Sequence, residues 1–348
     1  MPVAPASPVA PVFPVAPASA PAEHVPPNPQ ISVVIPTRGR PDLLARCLGA
    51  LVSQRLDSSR YEIIVVDDGP DAATREAVEG AAGAGGPKVC YLEAGPGRGP
   101  AEARNLGWRA ARAPAIAFTD DDCVPSRSWL AAGLDALAAG FEGACGQVVV
   151  PIPETPTDYE RDAAGLRDAE FVTANCFYRK DALEAVGGFD PRFKMAWRED
   201  SDVFFGMLER GLRLAYAPGA LVLHPVRPAP WGISLRQQRK NLFNALLYGK
   251  HPRLYRQRIQ SLPPLRYYAA VAFLAVAATG ALSGATSLAL AGLVAWAAST
   301  AAFALRRLRG ASHTARHVAE MVVTSALIPP AAVFWRLLGA LRFRVPFL

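Results

Sequence analysis

From Tyr267 to Leu305 the chain carries no Asp, Glu, Lys, Arg or His. A bilayer core takes roughly 20 helical residues per crossing, so a run this long predicts two membrane spans joined by a short turn near Gly280 to Gly284. Two buried helices of a soluble domain would instead need an unusually large partner surface. Arg266 precedes the first span, and Arg306, Arg307 and Arg309 follow the second. Positive charge gathers on cytoplasmic loops, so both ends of the hairpin are expected in the cytosol, together with the domain that precedes them. A third apolar stretch, Val318 to Leu338, is interrupted by Pro329-Pro330 and has Arg336, Arg342 and Arg344 toward its end. Its basic flanks leave a third crossing and a re-entrant or interfacial helix both open.

Charge divides along the chain in the same way. Residues 210–348 hold 18 Lys and Arg and one acidic residue, Glu320, whereas residues 1–209 hold 19 and 29, so the net charge of +7 is +17 behind and −10 in front. An acidic front half would repel a phosphate backbone, which argues against a nucleic-acid partner. The basic half is also the apolar half, so its expected partner is a membrane surface. The 51% of hydrophobic residues excludes a disordered or collagen-like chain. Five cysteines with no CxxC and no nearby His signal neither a zinc site nor a disulfide framework.

Residues 1–30 are Pro/Ala-rich triplets that match the turn of polyproline II and are expected to form an arm outside the core. From Ile31 apolar runs alternate with helical stretches, which predicts a doubly wound α/β domain with parallel strands buried on both faces. ISVVIP, YEIIVVDD, KVCYL and AIAFTD read as its first four strands. Helices are expected from Pro41 to about Gln54 and after Pro100.

Ligands of open α/β sheets bind beyond the carboxyl ends of the strands. Pro36, Thr37, Arg38 and Gly39 follow the first strand, Asp67, Asp68 and Gly69 the second, and Asp120, Asp121 and Asp122 the strand AIAFT. Two acidic clusters on one sheet edge repel each other unless a cation or a hydrogen-bonding ligand lies between them. Mg²⁺ or Mn²⁺ bound with a diphosphate answers this, because such ions prefer oxygen ligands and keep positions for phosphate. A single Asp there would pass as a helix cap, as Asp122 before PSRSWL could. Three in succession are harder to explain structurally.

Six strings in order, SVVIPTRGRPDLLARCL, YEIIVVDDG, GRGPAEARNLG, FTDDDCVPSRSWL, ANCFYRKDALEAVGGFD and WREDSDVFF, make the chain from about Ile31 to about His224 resemble a membrane-associated bacterial family 2 glycosyltransferase of the GT-A fold. The resemblance implies a nucleotide-diphosphate-sugar donor and a divalent metal. Asp120 and Asp122 match the DxD pair, with Asp122 on the metal and Asp120 on the ribose or the metal shell. Thr37 and Asp68 match nucleobase contacts, and Arg98 or Arg104 is expected near the donor. His224 fits an additional metal ligand, although a lone His after ALVL could equally be a packed residue. Asn175 and the glycines Gly187 and Gly188 are expected to shape the sugar and acceptor pocket.

Inverting transfer needs a carboxylate to take the acceptor proton. WRED matches the family's ED motif, which makes Asp200 the expected base beside Glu199, with Asp202 as an alternate. An acidic first turn that favours the helix dipole is the plain structural reading of the same residues. Residues 231–264 interleave Arg236, Arg239, Lys240 and Lys250 with Leu235, Leu242, Phe243, Leu246 and Leu247, as an interfacial segment on anionic lipid would. The QxxRW signature of processive members is absent, which favours one sugar per encounter. The expected organisation is an arm (1–30), a GT-A domain (31–230), a basic interfacial segment (231–264), a transmembrane hairpin (265–306), and a basic loop with a third membrane-embedded or re-entrant helix (307–348). Together these imply an inner (cytoplasmic) membrane enzyme, multi-pass and with its catalytic domain in the cytosol, that glycosylates a lipid-linked or envelope glycan acceptor. A nucleotidyltransferase is the enzymatic alternative, but PTRGRPD is a poor phosphate loop. A non-catalytic nucleotide-sugar-binding scaffold is the other.

Overall fold

The computed structural model describes residues 29–347 except Ala84 and Pro96, so the proline-rich arm lies outside the described residues apart from Pro29 and Gln30. The chain forms two compact units. Of the described residues, the first comprises those up to Pro151 together with Gly165–Pro225, and the second Ile152–Ala164 together with those from Val226 onward.

The first unit is a mixed sheet of eight strands, β1 (Ile31–Thr37), β2 (Tyr61–Asp67), β3 (Lys88–Glu93), β4 (Ala115–Phe118), β5 (Val124–Pro125), β6 (Gly143–Val149), β7 (Cys176–Arg179) and β8 (Leu214–Leu223), in the order β3-β2-β1-β4-β7-β6-β8-β5. β3, β2, β1 and β4 are parallel, with Thr37 level with Asp67 and Val34 level with Phe118. β1 and β2 are buried at every position, as their unbroken apolar runs require. The expectation of parallel pairing fails at β7, which lies antiparallel to both β4 and β6. A strand of only four residues, three of them buried, satisfies its hydrogen bonds in either direction, and its direction comes from the connection that feeds it.

Around this sheet lie α1 (Pro41–Val52), α2 (Ala72–Ala81), α3 (Pro100–Ala110), α4 (Trp129–Ala138), α6 (Lys180–Val186) and α7 (Glu199–Glu209). α1 begins with Pro41 and buries Leu44, Cys47, Leu48 and Leu51, one face at helical spacing. α3 also begins on a proline, after Gly99, whose φ of +94° favours glycine. It lies close against the sheet at Gly107, where a Cβ would stand 2.4 Å from Val34 Cγ1 and 3.0 Å from Val66 Cγ2.

The second unit holds α5 (Asp158–Ala164), α8 (Ile233–Arg236), α9 (Asn241–Lys250), α10 (Pro252–Arg258), α11 (Leu265–Leu282), α12 (Thr286–Leu308) and α13 (Ala315–Phe343). The last three are long and apolar enough to cross a membrane. α11 and α12 form a tight antiparallel hairpin that turns at Gly284. Cβ atoms on Gly280 and Gly292 would fall 2.4 and 2.5 Å from the backbone of the opposite helix. α13 continues through Pro329-Pro330. Leu242, Phe243, Leu246 and Leu247 of the basic segment are buried, and α9 packs along α13.

Because α3 carries Arg104 beneath the strand ends, its seating matters to the site. Gly107→Ala should destabilise the first unit by about 1–3 kcal/mol, the usual cost of overpacking. Denaturant unfolding of the purified chain would measure it.

Candidate active site

The polar residues beyond the strand ends fall into two linked groups. In the first, Thr37 Oγ1 at the end of β1 donates to Asp121 Oδ2 at 2.7 Å. Arg40, at the start of α1, sets its guanidinium 3.0 Å from Asp121 Oδ1 and 3.9 Å from Asp122 Oδ2. Burial pushes the Asp121 carboxyl up to about 6 although Arg40 opposes it. Asp122 Oδ1 lies 3.5 Å from His224 Nε2. His224 is fixed there because its backbone N–H donates to the Val149 carbonyl at 2.8 Å, extending the β6–β8 pairing by one residue.

The second group centres on Arg104. Its side chain is 2% exposed and donates to Asp120 Oδ1 at 2.8 Å and to Glu199 Oε1 at 2.9 Å. One guanidinium thus joins the strand end after β4 to the first turn of α7. Burial acts to raise both carboxyls, and the outcomes differ. Asp120 keeps part of its surface in solvent, and Arg104 holds it below the usual range. Glu199 is buried and close to Asp200, and it rises to about 7 in spite of Arg104. Its second oxygen has no hydrogen-bond partner among the described residues.

α7 begins after Arg198, a non-glycine residue held at φ +77°. Such strained positions cluster at functional sites. Of the three acidic groups in its first turn, Glu199 and Asp202 are buried, while Asp200 is half-buried and accepts from Ser201 N–H at 2.6 Å. Burial raises the Asp200 carboxyl.

The remaining expected residues are placed as follows. Asp68 accepts from the backbone N–H groups of Arg98 at 2.6 Å and Gly99 at 3.1 Å, which shapes the turn into α3, and Arg38 stands 3.8 Å away. Asp67 is spent on Gly69 N–H and the Tyr91 hydroxyl. Pro36 is buried within β1, and the Arg98 side chain pairs with Glu102. Asn175 is buried and donates to the carbonyls of Gln147 and Ala220 while accepting from Trp129 Nε1, so its side chain is taken up in holding β6 to β8. Gly187 closes α6 at φ +84°, and a Cβ on Gly188 would strike Asn105 and Trp108. Sequence reasoning missed Arg40, whose signal was its place three residues after Thr37. Arg98 or Arg104 was expected near the donor, and the bridge that Arg104 makes between two carboxylates was not foreseen.

Asp122, Cys123 and His224 present ligand atoms within 4.8 Å of one another. Burial pushes the Cys123 thiol well up, so it offers no ready thiolate. Two ligands about 2.1 Å from one ion, at angles of roughly 90–110°, stand about 3.0–3.5 Å apart. The Asp122–His224 separation therefore fits a shared divalent cation, with carboxylate and imidazole as donors.

Residues 32–202 match the family model for glycosyl transferase family 2, and residues 160–305 match a second one, for glycosyl transferase family group 2. The chain belongs to the family 2 glycosyltransferases. It is 28% identical over 224 residues to the glycosyltransferase AglE of Haloferax volcanii, covering 60% of this chain and 71% of that one. It is 30% identical over 221 residues to a pre-mycofactocin glycosyltransferase of Mycobacterium tuberculosis, covering 58% of this chain but only 44% of that one. In fold it resembles a mannosyltransferase of Pyrobaculum calidifontis solved with GDP-mannose and Mn²⁺, with a TM-score of 0.57, 21% identity, and coverage of 89% of this chain and 87% of that one. The mixed α/β sheet is accordingly a GT-A fold.

Glu199 supplies a pH test of this geometry. An unfolded glutamate ionises near 4.5, whereas the folded one holds its proton to about 7. Its contribution to stability is full below about pH 4.5 and is lost as pH rises through 7. Glu199→Gln, neutral throughout, should flatten this decline, as unfolding midpoints from pH 4.5 to 8 would show.

Proposed function

We propose that this family 2 glycosyltransferase is an inverting, metal-dependent enzyme. It moves one sugar per encounter from a nucleotide-diphosphate donor to a lipid-linked or envelope glycan acceptor at the cytosolic face of the inner membrane. The observation that carries this reading is the Arg104 bridge, which ties Asp120, two residues before Asp122 of the Asp122–His224 pair, to an acidic helix start that can accept a proton. The fold shared with a mannosyltransferase that binds GDP-mannose and Mn²⁺ supports the donor and metal classes.

Asp122 and His224 would hold Mg²⁺ or Mn²⁺, with Asp120 beside them, and the ion would neutralise charge on the leaving diphosphate. Thr37 and Asp68 stand at the nucleoside end, with Arg38 as the exposed cation there. The acceptor hydroxyl attacks the anomeric carbon from the side opposite the diphosphate. As the new C–O bond forms and the bond to phosphate breaks, the acceptor proton passes to an Asp200 carboxylate oxygen. Asp200 suits the role because it is the most accessible carboxylate of its turn, and its raised affinity for protons helps it hold the one it takes. Glu199, turned onto Arg104, orients the pair. The basic α8–α10 segment and the apolar helices beyond it support a membrane location.

Release of nucleoside diphosphate from a panel of nucleotide sugars with Mn²⁺ tests the reading, and activity unaffected by EDTA would refute the metal. Asp200→Asn should lower kcat at least about a hundredfold with donor affinity little changed. Asp202→Asn should be much milder, because two positions along a helix its side chain points roughly 200° away. Steady-state kinetics of the two variants would check this. For topology, a reporter inserted near Gly284 should lie outside the cytosol and one fused after Gly310 within it. Both on one side would refute the hairpin.

A further inference from the structure

The second unit brings both halves of α13 to the same end of the α11–α12 hairpin. That end is marked by Tyr267, early in α11, whose ring lies 5.5 Å from that of Phe303, late in α12, while Gly284 marks the other. At the front of α13, the buried Arg307 guanidinium donates to Thr324 Oγ1 at 2.6 Å and Ser325 Oγ at 3.1 Å. The same group pairs with Asp158 at 2.8 Å and donates to Ser234 Oγ at 2.9 Å. Gly232 N–H donates to Glu320 Oε1 at 2.7 Å. At the back, Arg336 donates to Gln260 Oε1 at 3.1 Å, five residues before α11 begins. A Cβ on Gly339 would lie 2.5 Å from the Leu242 carbonyl, and one on Gly249 would lie 2.7 Å from Val345. The layer α8–α9 therefore runs beside α13 in the same direction, from Gly232 at Glu320 to Gly249 at Val345.

A crossing α13 would carry this layer with it. Gly249 and Lys250 would reach the far side, and the chain would have to return to Leu265 through Arg253, Arg256 and Arg258. No apolar run in that stretch approaches the roughly 20 residues a return needs, and arginines at the bilayer centre are costly to insert. The uncharged stretch between Glu320 and Arg336 would also extend only about 22 Å as a helix, short of a core about 30 Å thick.

We infer that α13 does not cross: it lies in the plane of one leaflet together with α8–α10, so the described residues cross twice and those after α13 stay on the side of the catalytic unit. This rests on the membrane reading of α11 and α12. The occupant of the outer face of α13 is the acyl-chain region of that leaflet. Val323, Leu327, Phe334 and Leu341 are exposed and recur at spacings of four and seven, one line along the helix. Exposed Arg316, Arg342 and Arg344 flank this line where lipid phosphates would lie.

Nitroxide labels on Leu327→Cys and Leu341→Cys, in full-length chain reconstituted into liposomes with Cys90→Ser, would report depth from oxygen and nickel accessibility. An in-plane helix predicts shallow depths equal within about 5 Å, whereas a crossing one separates them by about 21 Å. A separation above about 15 Å overturns the inference, and so do two water-exposed labels, which would mean that no leaflet covers the stripe. A control label on Val294→Cys, exposed at mid-α12, should be deep. If this control is shallow the membrane reading itself fails, which distinguishes that failure from an error about α13.

Discussion

The candidate site depends on one buried cation. Arg104 sits beneath the strand ends between Asp120 and Glu199, and its full positive charge is what allows acids from two distant stretches of chain to approach one another in a poorly solvated space. Without it, Asp120 and Glu199 would each face burial uncompensated, and breaking such a pair typically costs about 3–5 kcal/mol. The guanidinium favours ionisation of both acids, yet only one of them ionises readily. Asp120, partly in solvent, remains a carboxylate, whereas Glu199, buried and next to Asp200, keeps a proton to about neutral pH. Two acids on one cation thus hold different charges for reasons of exposure and neighbours alone.

The backbone scaffold serves that arrangement. Gly107 lets α3 lie against β1 and β2, which places Arg104 at the right depth. The β6–β8 pairing runs on to His224 and brings it to Asp122. Asn175 reinforces the same pairing across its register shift between Gly146 and Gln147. Such buried, hydrogen-bonded polar side chains hold a site by fixing its strands.

The family, the α/β class and the acid clusters at the strand ends were legible because each leaves a local mark: an unbroken apolar run, a proline at a helix start, aspartates directly after a strand. The Arg104 bridge left none, since its partners lie 16 and 95 residues away and a motif does not say which way a side chain turns. The antiparallel direction of β7 was equally hidden. So was the departure of residues 152–164 into the second unit, because the partners of Asp158 and Arg161 lie 149 and 146 residues further along the chain. There Asp158 pairs with Arg307, and Arg161 donates to the carbonyls of Arg307 and Arg309.

The apolar helices show why hydropathy alone stops short. It measures how much apolar surface a segment carries but not what covers it. α11 and α12 are mostly exposed as well as long and apolar enough to cross a membrane. α13 has comparable hydropathy, yet it commits one face to α9 and buries Arg307, Thr324, Ser325 and Arg336 along that face. Leu242, Phe243, Leu246 and Leu247, which suggested an amphipathic helix lying on lipid, are likewise spent inside the protein. On the in-plane placement inferred above, what reaches lipid from this layer is the exposed stripe of α13, while the basic residues of α8–α10 supply the charge. A surface that neither segment could present alone is thus divided between two helices distant in sequence.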